Sequence, residues 1–383
     1  MKLPWCYRYR GRPVDNIYRN QKGVALIATI AVVAILCVVA LEAGRLAKQA
    51  ASGTIIENDM FAAREMAMSG IHLAMMILAM DAADNEIDSI QEPWANPEQI
   101  DQAVAAMGLE PADLSLKISD EMGKLQLNAL LKQFPGNEPN DAQMVVLERF
   151  LTLAVPEDKP EEAGSAVEIV NALKDWLDSK DDDAITGLTG AESNYYESLD
   201  VPYTCANGPF MHISELFLVK GVVDAMLSSA YISQGMDESL QADVTDMFTV
   251  YGLLQDQDSK ENRFSFSGTV NINTAPVAVL AAILPEGRDA NAQDLADYRS
   301  DKASLGQEYT HILESGWFEN VIALSDNEKK IFEKVITYSS HVFSVTCTAK
   351  KNDYQVTLHA VIKREKQDMT GKWSCRILQM ERV

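Results

Sequence analysis

The chain has 383 residues, 47% of them hydrophobic, which is enough material for two or more packed units and argues against a chain dominated by disorder. Its formal charge of −23 is unevenly spread: residues 1–23 hold six Lys/Arg and one Asp, so the remainder carries 27 Lys/Arg against 55 Asp/Glu, a balance of −28. A body that acidic repels phosphate backbones, so the charge argues against a nucleic-acid partner and favours divalent cations or basic protein surfaces.

The first element is an apolar run from Val24 to Leu41 whose one polar member is Thr29. As a helix it extends about 27 Å, just enough to span a bilayer. Lys2, Arg8, Arg10, Arg12, Arg19 and Lys22 precede it, which places the N-terminus in the cytoplasm and the acidic body across the membrane. A cleaved secretory signal ending near Val38-Val39-Ala40 and a plain anchor also fit the run, whereas a lipoprotein signal at Cys37 is disfavoured by bulky Leu36. The helical pattern does not stop at Leu41. Ile56, Met60, Ala63, Ala67, Ile71, Ala74 and Leu78 recur at spacings of three and four, and no proline interrupts Val24 to Ala83. A helix of about 60 residues, roughly 90 Å long, is predicted, with Gly53 as a place where it bends or melts.

A basic leader ending in Gly23 and followed by this helix resembles the type IV pilin superfamily. The resemblance implies cleavage by a prepilin peptidase between Gly23 and Val24, N-methylation of Val24, and a helix that serves as both anchor and filament core. The sequence departs at mature position five, where Ala28 stands in place of the superfamily's Glu. A carboxylate in a lipid-like interior is costly unless paired. Its absence reads either as a subunit with no neighbour above it or as ordinary sequence drift.

Downstream, "LSLKIS" and "KLQLN" alternate on either side of the turn-like "DEMG" and predict a hairpin. Helical patterns follow in "DAQMVVLERFLTLA", "AVEIVNALKDWLD", "SELFLVKGVVDAMLSSA", "APVAVLAAIL" and "DANAQDLADYRSD". From Ser340 three strand-like segments with short polar connections predict an antiparallel meander. "LQLNALL" and "VNINTAPVAVL" echo each other, each an alternating stretch that ends in Asn before a helix. The second resembles the entry to helix-hairpin-helix repeats, but Gly221 alone is available as a phosphate-facing glycine and the charge opposes DNA.

The stretches "DSIQEPWA", "DEMGKLQLNALL", "DWLD", "GAESNYY", "ISELFLVKGV" and "VNINTAPVAVLAAI" resemble, in order, the general secretion pathway protein K family, the minor pseudopilin of type II secretion. This implies an α+β, pilin-like fold with a large, mostly helical insertion. The expected parts are a leader over 1–23 and an N-terminal helix over 24–83, membrane-spanning at 24–41. The pilin-like β part then takes 84–119 and 336–383, and the insertion 120–335. It further implies an inner-membrane, single-pass subunit with a periplasmic body, placed at the pseudopilus tip with the minor pseudopilins I and J above the major pseudopilin. Its role there is to prime filament assembly and export across the outer membrane. A minor pilin of a type IV pilus or competence system, and a membrane-anchored periplasmic enzyme or binding protein, are the alternatives.

The densest carboxylate segment runs from Asp175 to Asp200. An EF-hand register from Asp181 puts Asp183 at position three and Glu192 at position twelve, but Ile185 and Thr186 occupy positions five and six, so that motif is rejected. The family resemblance implies calcium near this loop. Asp178, Asp182, Asp183 and Glu192 are the expected ligands, with Asp181, Asp175 and Asn207 behind them. Lys180, a cation inside the loop, and a merely solvated acidic loop speak against it.

The five histidines are scattered, and no His-Glu-x-x-His, Gly-x-Ser-x-Gly or phosphate-loop motif occurs, so the sequence offers no catalytic constellation. Cys347 and Cys375 fall in two strand-like segments and are either a disulfide or two unrelated thiols.

Overall fold

The computed structural model describes residues 22–153, 164–180, 185–222, 244–255, 263–303 and 308–383. The chain divides into two units, residues 1–62 and 63–383. Helix α1 is assigned without interruption from Lys22 to Asp84, through Gly44, Gly53 and Gly70, so the helix does not melt at Gly53.

In the first unit the helix is exposed along its apolar run: Val24, Ile27, Ile30, Ile35 and Leu41 are each at least 60% accessible. This helix is long and apolar enough to cross a membrane. A surface made of such side chains is stable in water only when lipid or another subunit covers it.

The second unit holds two hydrophobic cores. In the first, Ala63, Ala67, Ile71, Ala74 and Leu78 of α1 are fully buried, at the three-and-four spacing read from the sequence. They pack on an antiparallel sheet in the order β1-β8-β9-β10, with β1 at Leu114–Asp120, β8 at Val342–Lys351, β9 at Tyr354–Lys366 and β10 at Trp373–Arg382. Alternate residues such as Leu114, Leu116 and Ile118 face the helix, as the period of two requires. Gly70 permits the close approach, since a Cβ there would overlap the Cys347 Sγ. The long helix on an antiparallel sheet is the pilin-like, α+β arrangement expected, and the terminal meander forms as predicted.

The predicted hairpin does not form. β1 pairs instead with β8, from Leu114↔Ala349 to Asp120↔Phe343, while Leu125–Gln126 (β2) pairs in parallel with Phe248–Thr249 (β3). The physical reason lies in the turn. Glu121 N donates to Val342 O and Met122 N to the Asp120 carboxylate, so the chain leaves the sheet there rather than folding back on β1.

The second core gathers the helices between the sheet's first and second strands in chain order. These include α3 (Asp141–Leu153), α4 (Gly164–Leu177), helix Val277–Ile283 and helix Ala292–Ser300, with Phe150, Leu173, Trp176 and Leu280 buried among them. Another prediction fails here. Ile213–Leu218 is a short 3-10 helix rather than the start of a long α-helix, because a capping box between His212 and Glu215 sets its start and Gly221 turns left-handed at φ +80 just after it. Residues 223–230 of that predicted helix lie outside the described residues.

The sequence echo has a structural counterpart. β2 pairs with β3 and Val270–Asn271 (β6) with Ile336–Thr337 (β7), both in parallel over two residues. Two residues after Gln126 and Asn271 stand Asn128 and Asn273, each fully buried. In both copies the earlier side chain accepts the later Asn N–H, and the later Asn amide donates across to the neighbouring strand's exit, at Val250 O or Tyr338 O.

Candidate functional site

Two groups of three carboxylates come together among the described residues, Asp81 with Asp88 and Glu92, and a second, more deeply buried one at the end of α4. Asp175 lies in the last turn of that helix and Asp178 just past its end, and Glu192 stands at the N-cap position of the short helix α5 (Ser193–Glu197); all three are at most 3% exposed. One oxygen of each lies within 4.8 Å of the others. Asp175 is fixed by the Thr186 N–H, which donates to both of its oxygens, at 3.2 and 3.0 Å. Burial, the largest cause, pushes its carboxyl above the usual range, against the Thr186 bonds and Lys174. Lys174 is the counter-charge: it pairs with Asp178 and lies 3.6 Å from Asp175.

Among the described residues, Lys174 is the ammonium whose pairing with this cluster is resolved, and a buried group of carboxylates is stabilised by protonation or by a cation. Asn207 is a further oxygen-bearing candidate. Its Oδ1 is buried and has no donor among the described residues, and the residue adopts φ +49. Its main-chain N–H faces the Cys205 thiol, which donates to Asp175 O at 3.5 Å. Burial pushes that thiol up to about 12, so it remains a neutral donor. Gly190 closes the other side, where any Cβ would overlap Asp175 Oδ2. The donor set, hard oxygens with net negative charge, fits calcium better than a soft-ligand metal.

Of the ligands read from the sequence, Asp175, Asp178 and Glu192 are brought together, and Asn207 is linked to them through the Cys205 thiol. Asp181, Asp182 and Asp183 lie outside the described residues. Asp175, ranked behind, is the most buried of the set. The sequence reading missed Lys174, whose spacing of four from Asp178 on one helix face was the available signal.

The proposed disulfide is contradicted. Cys347 on β8 pairs with Leu358 on β9, and Cys375 on β10 pairs with Arg364 on β9, so a whole strand separates them and their positions differ by six residues, about 20 Å, along it. Both thiols are free.

A second polar centre, also missed, ties the sheet to the helical part. Arg364 of β9, 5% exposed, reaches Asp81 of α1 at 3.0 Å and Asp88 at 2.6 Å and donates to Ser340 O. Asn271 donates to Asp88 O, the Asp120 carboxylate and Ser340 Oγ. Thr274 also reaches Asp120, and Trp317 donates to Asn273 at 2.6 Å. Three stretches singled out in the sequence, around Asp88, Asp120 and Asn271, therefore meet in one hydrogen-bonded junction.

Residues 123–230 match the family profile described as "Type II secretion system (T2SS), protein K". The chain is similar to type II secretion system protein K of Klebsiella pneumoniae, 26% identical over 228 residues, covering 59% of this chain and 66% of that protein. It is also similar to the Aeromonas hydrophila protein, 27% identical, with 53% and 60% covered, and to that of Pseudomonas aeruginosa, 28% identical, with 73% of each covered. The matched stretch thus spans a little under two thirds of the first two relatives. Its fold resembles a chain of the crystal structure of the GspK-GspI-GspJ complex from enterotoxigenic Escherichia coli, with a TM-score of 0.57 at 19% identity, covering 86% of this chain and 99% of that one. The profile match inside the helical part and the sequence relatives reaching well beyond it make the chain similar to type II secretion system protein K.

Proposed function

We propose that this chain is a minor pseudopilin seated at the tip of a type II secretion pseudopilus, joined there to the minor pseudopilins I and J above the major pseudopilin. In this reading the protein primes filament assembly for export across the outer membrane. The observation that carries it is the exposed apolar helix beginning at Val24 with Ala28 at its fifth position, joined to a body similar to type II secretion system protein K. A helix that packs between subunits without a carboxylate to neutralise suits the last position in a stack. The large helical part fits the same place, because nothing stacks above it.

Processing by a prepilin peptidase between Gly23 and Val24, methylation of Val24, a cytoplasmic N-terminus and a periplasmic body belong to this reading. Calcium does too: Asp175, Asp178 and Glu192, with the Asn207 oxygen, would hold it, and the ion would neutralise carboxylates and fix the loop against α4. The role is structural, with no catalytic residue assigned.

Gold-labelled antibody against an epitope-tagged chain should mark filament ends. Labelling spread along the shaft, or normal export by cells whose chain carries Gly23→Arg and stays uncut, would contradict the proposal.

A further inference from the structure

Residues 185–219 contain no Lys or Arg and four Asp/Glu. Within them Leu188 is 93% exposed, Val201 78%, Leu218 44%, Phe217 43% and Tyr195 37%. Scattered single apolar residues on a surface are ordinary; a contiguous group is not.

The segments carrying these five are bonded to each other, which holds them on one region of the fold. Lys220 donates to Thr189 O at 3.0 Å, next to Leu188, and its ammonium lies 5.0 Å over the Tyr195 ring. The Lys220 N–H reaches the Tyr196 hydroxyl at 3.4 Å. Tyr203, two residues beyond Val201, donates from its hydroxyl to Leu218 O at 2.7 Å. Tyr196 and Tyr203 stack at 5.3 Å beneath. The patch thus rests on a fixed floor of aromatic rings.

Its border is acidic. Glu197 and Asp200 are exposed, and Glu215 is half-buried. The cation that follows, Lys220, is turned onto main-chain carbonyls and a ring. An apolar surface flanked by the exposed carboxylates of Glu197 and Asp200 favours a partner with apolar anchors next to Lys or Arg, since an acidic segment would be repelled and a neutral one would gain nothing from them.

We propose that the surface formed by Leu188, Tyr195, Val201, Phe217 and Leu218 docks a basic amphipathic segment of a partner protein, apolar side down, with Glu197 and Asp200 taking its cations. The proposal goes beyond the filament position and stands without it, because it concerns a surface of the isolated chain.

The test uses the full chain in phosphatidylcholine nanodiscs and a fluorescein-labelled peptide of Leu and Lys at helical spacing, with empty discs as the baseline. The expected result is an anisotropy rise on chain-loaded discs above that baseline, weakening as salt is added, and at least tenfold weaker binding for Leu188→Asp/Val201→Asp and for Glu197→Lys/Asp200→Lys. All four substituted side chains are exposed, so the variants keep the fold, which an unchanged melting curve verifies. Binding no greater than on empty discs overturns the proposal. So does retention of affinity in either variant, or equal binding by the same peptide with Glu in place of Lys. Filament-end labelling reads the tip assignment separately, so each can fail alone.

Discussion

The Nη2 of Arg364 lies 2.6 Å from each of the two carboxylate oxygens of Asp88, and both residues are almost wholly buried. The pair joins β9 to the segment after α1, with Asp81 and Ser340 completing the guanidinium's partners. Removing one member leaves a buried charge without compensation. Arg364→Leu should cost about 3–5 kcal/mol, read from the shift in urea midpoint of the detergent-solubilised chain. A loss below about 1 kcal/mol would mean that the junction holds together without its ion pair.

The same junction gives a pH dependence. Burial, then Glu92 and Asp88, raise Asp81 to about 7 from an unfolded value near 3.8, against the lowering pull of Arg364. The folded chain holds that proton more tightly, so the stability Asp81 contributes is full below pH 4 and falls as pH rises toward 7. Asp120, raised by burial to about 6, acts in the same sense; His341, lowered by burial to about 4, acts in the opposite one. The difference between wild type and Asp81→Asn isolates one group. Their stability difference should change steadily between pH 4 and 7 against the wild type, and a flat difference curve would remove Asp81 from the account.

Gly70 and Cys347 form a testable contact across the first core. Gly70→Ala should destabilise by about 1–3 kcal/mol, because its Cβ would overlap Sγ and press on Leu114 at 3.3 Å. Adding Cys347→Ala should recover a large part of that loss, giving a coupling energy of about 0.5–3 kcal/mol in a double-mutant cycle. Strict additivity would show that the strain is relieved elsewhere.

For the acidic site, calorimetric titration with calcium should release or absorb heat and raise the melting temperature, and Asp175→Asn should abolish both. Lys174→Gln should strengthen binding, since the ammonium paired with Asp178 competes for the same oxygens. Neither heat nor a melting shift in the wild type would end the calcium proposal.

Gly23→Arg should leave an uncut chain, migrating about 2–3 kDa above the mature form on a gel, since the small residue at the cleavage point is what a peptidase pocket admits. Normal processing would sink the leader assignment.

Much of this was legible in the residues. Spacings of three and four named the buried face of α1 from Ala63 to Leu78, and strict alternation named Leu114–Asp120 and the closing meander. Asp175, Asp178, Glu192 and Asn207 were all named as candidate ligands. What failed was long-range. Alternation says that a segment is a strand and not which strand it meets, so β1 was given to the neighbouring "KLQLN" when its partner lay far along the chain. Cys347 and Cys375 looked alike as strand residues until β9 was found between them. Arg364 and Asp88 carry no local pattern at all; a buried ion pair is visible only when both elements are placed.

The pairing of Asp120 with Phe343 joins positions 223 apart, and β10 adds its rung later still. Contacts of such high sequence separation close slowly, because the loop entropy is lost before the pairing returns anything. During synthesis, the apolar face of α1 at Ala67, Ile71 and Ala74 therefore stays partly uncovered until β8, β9 and β10 have been made. A chain stopped before Ser340 lacks three of the four strands that cover that face, so its first core is completed only by the closing residues.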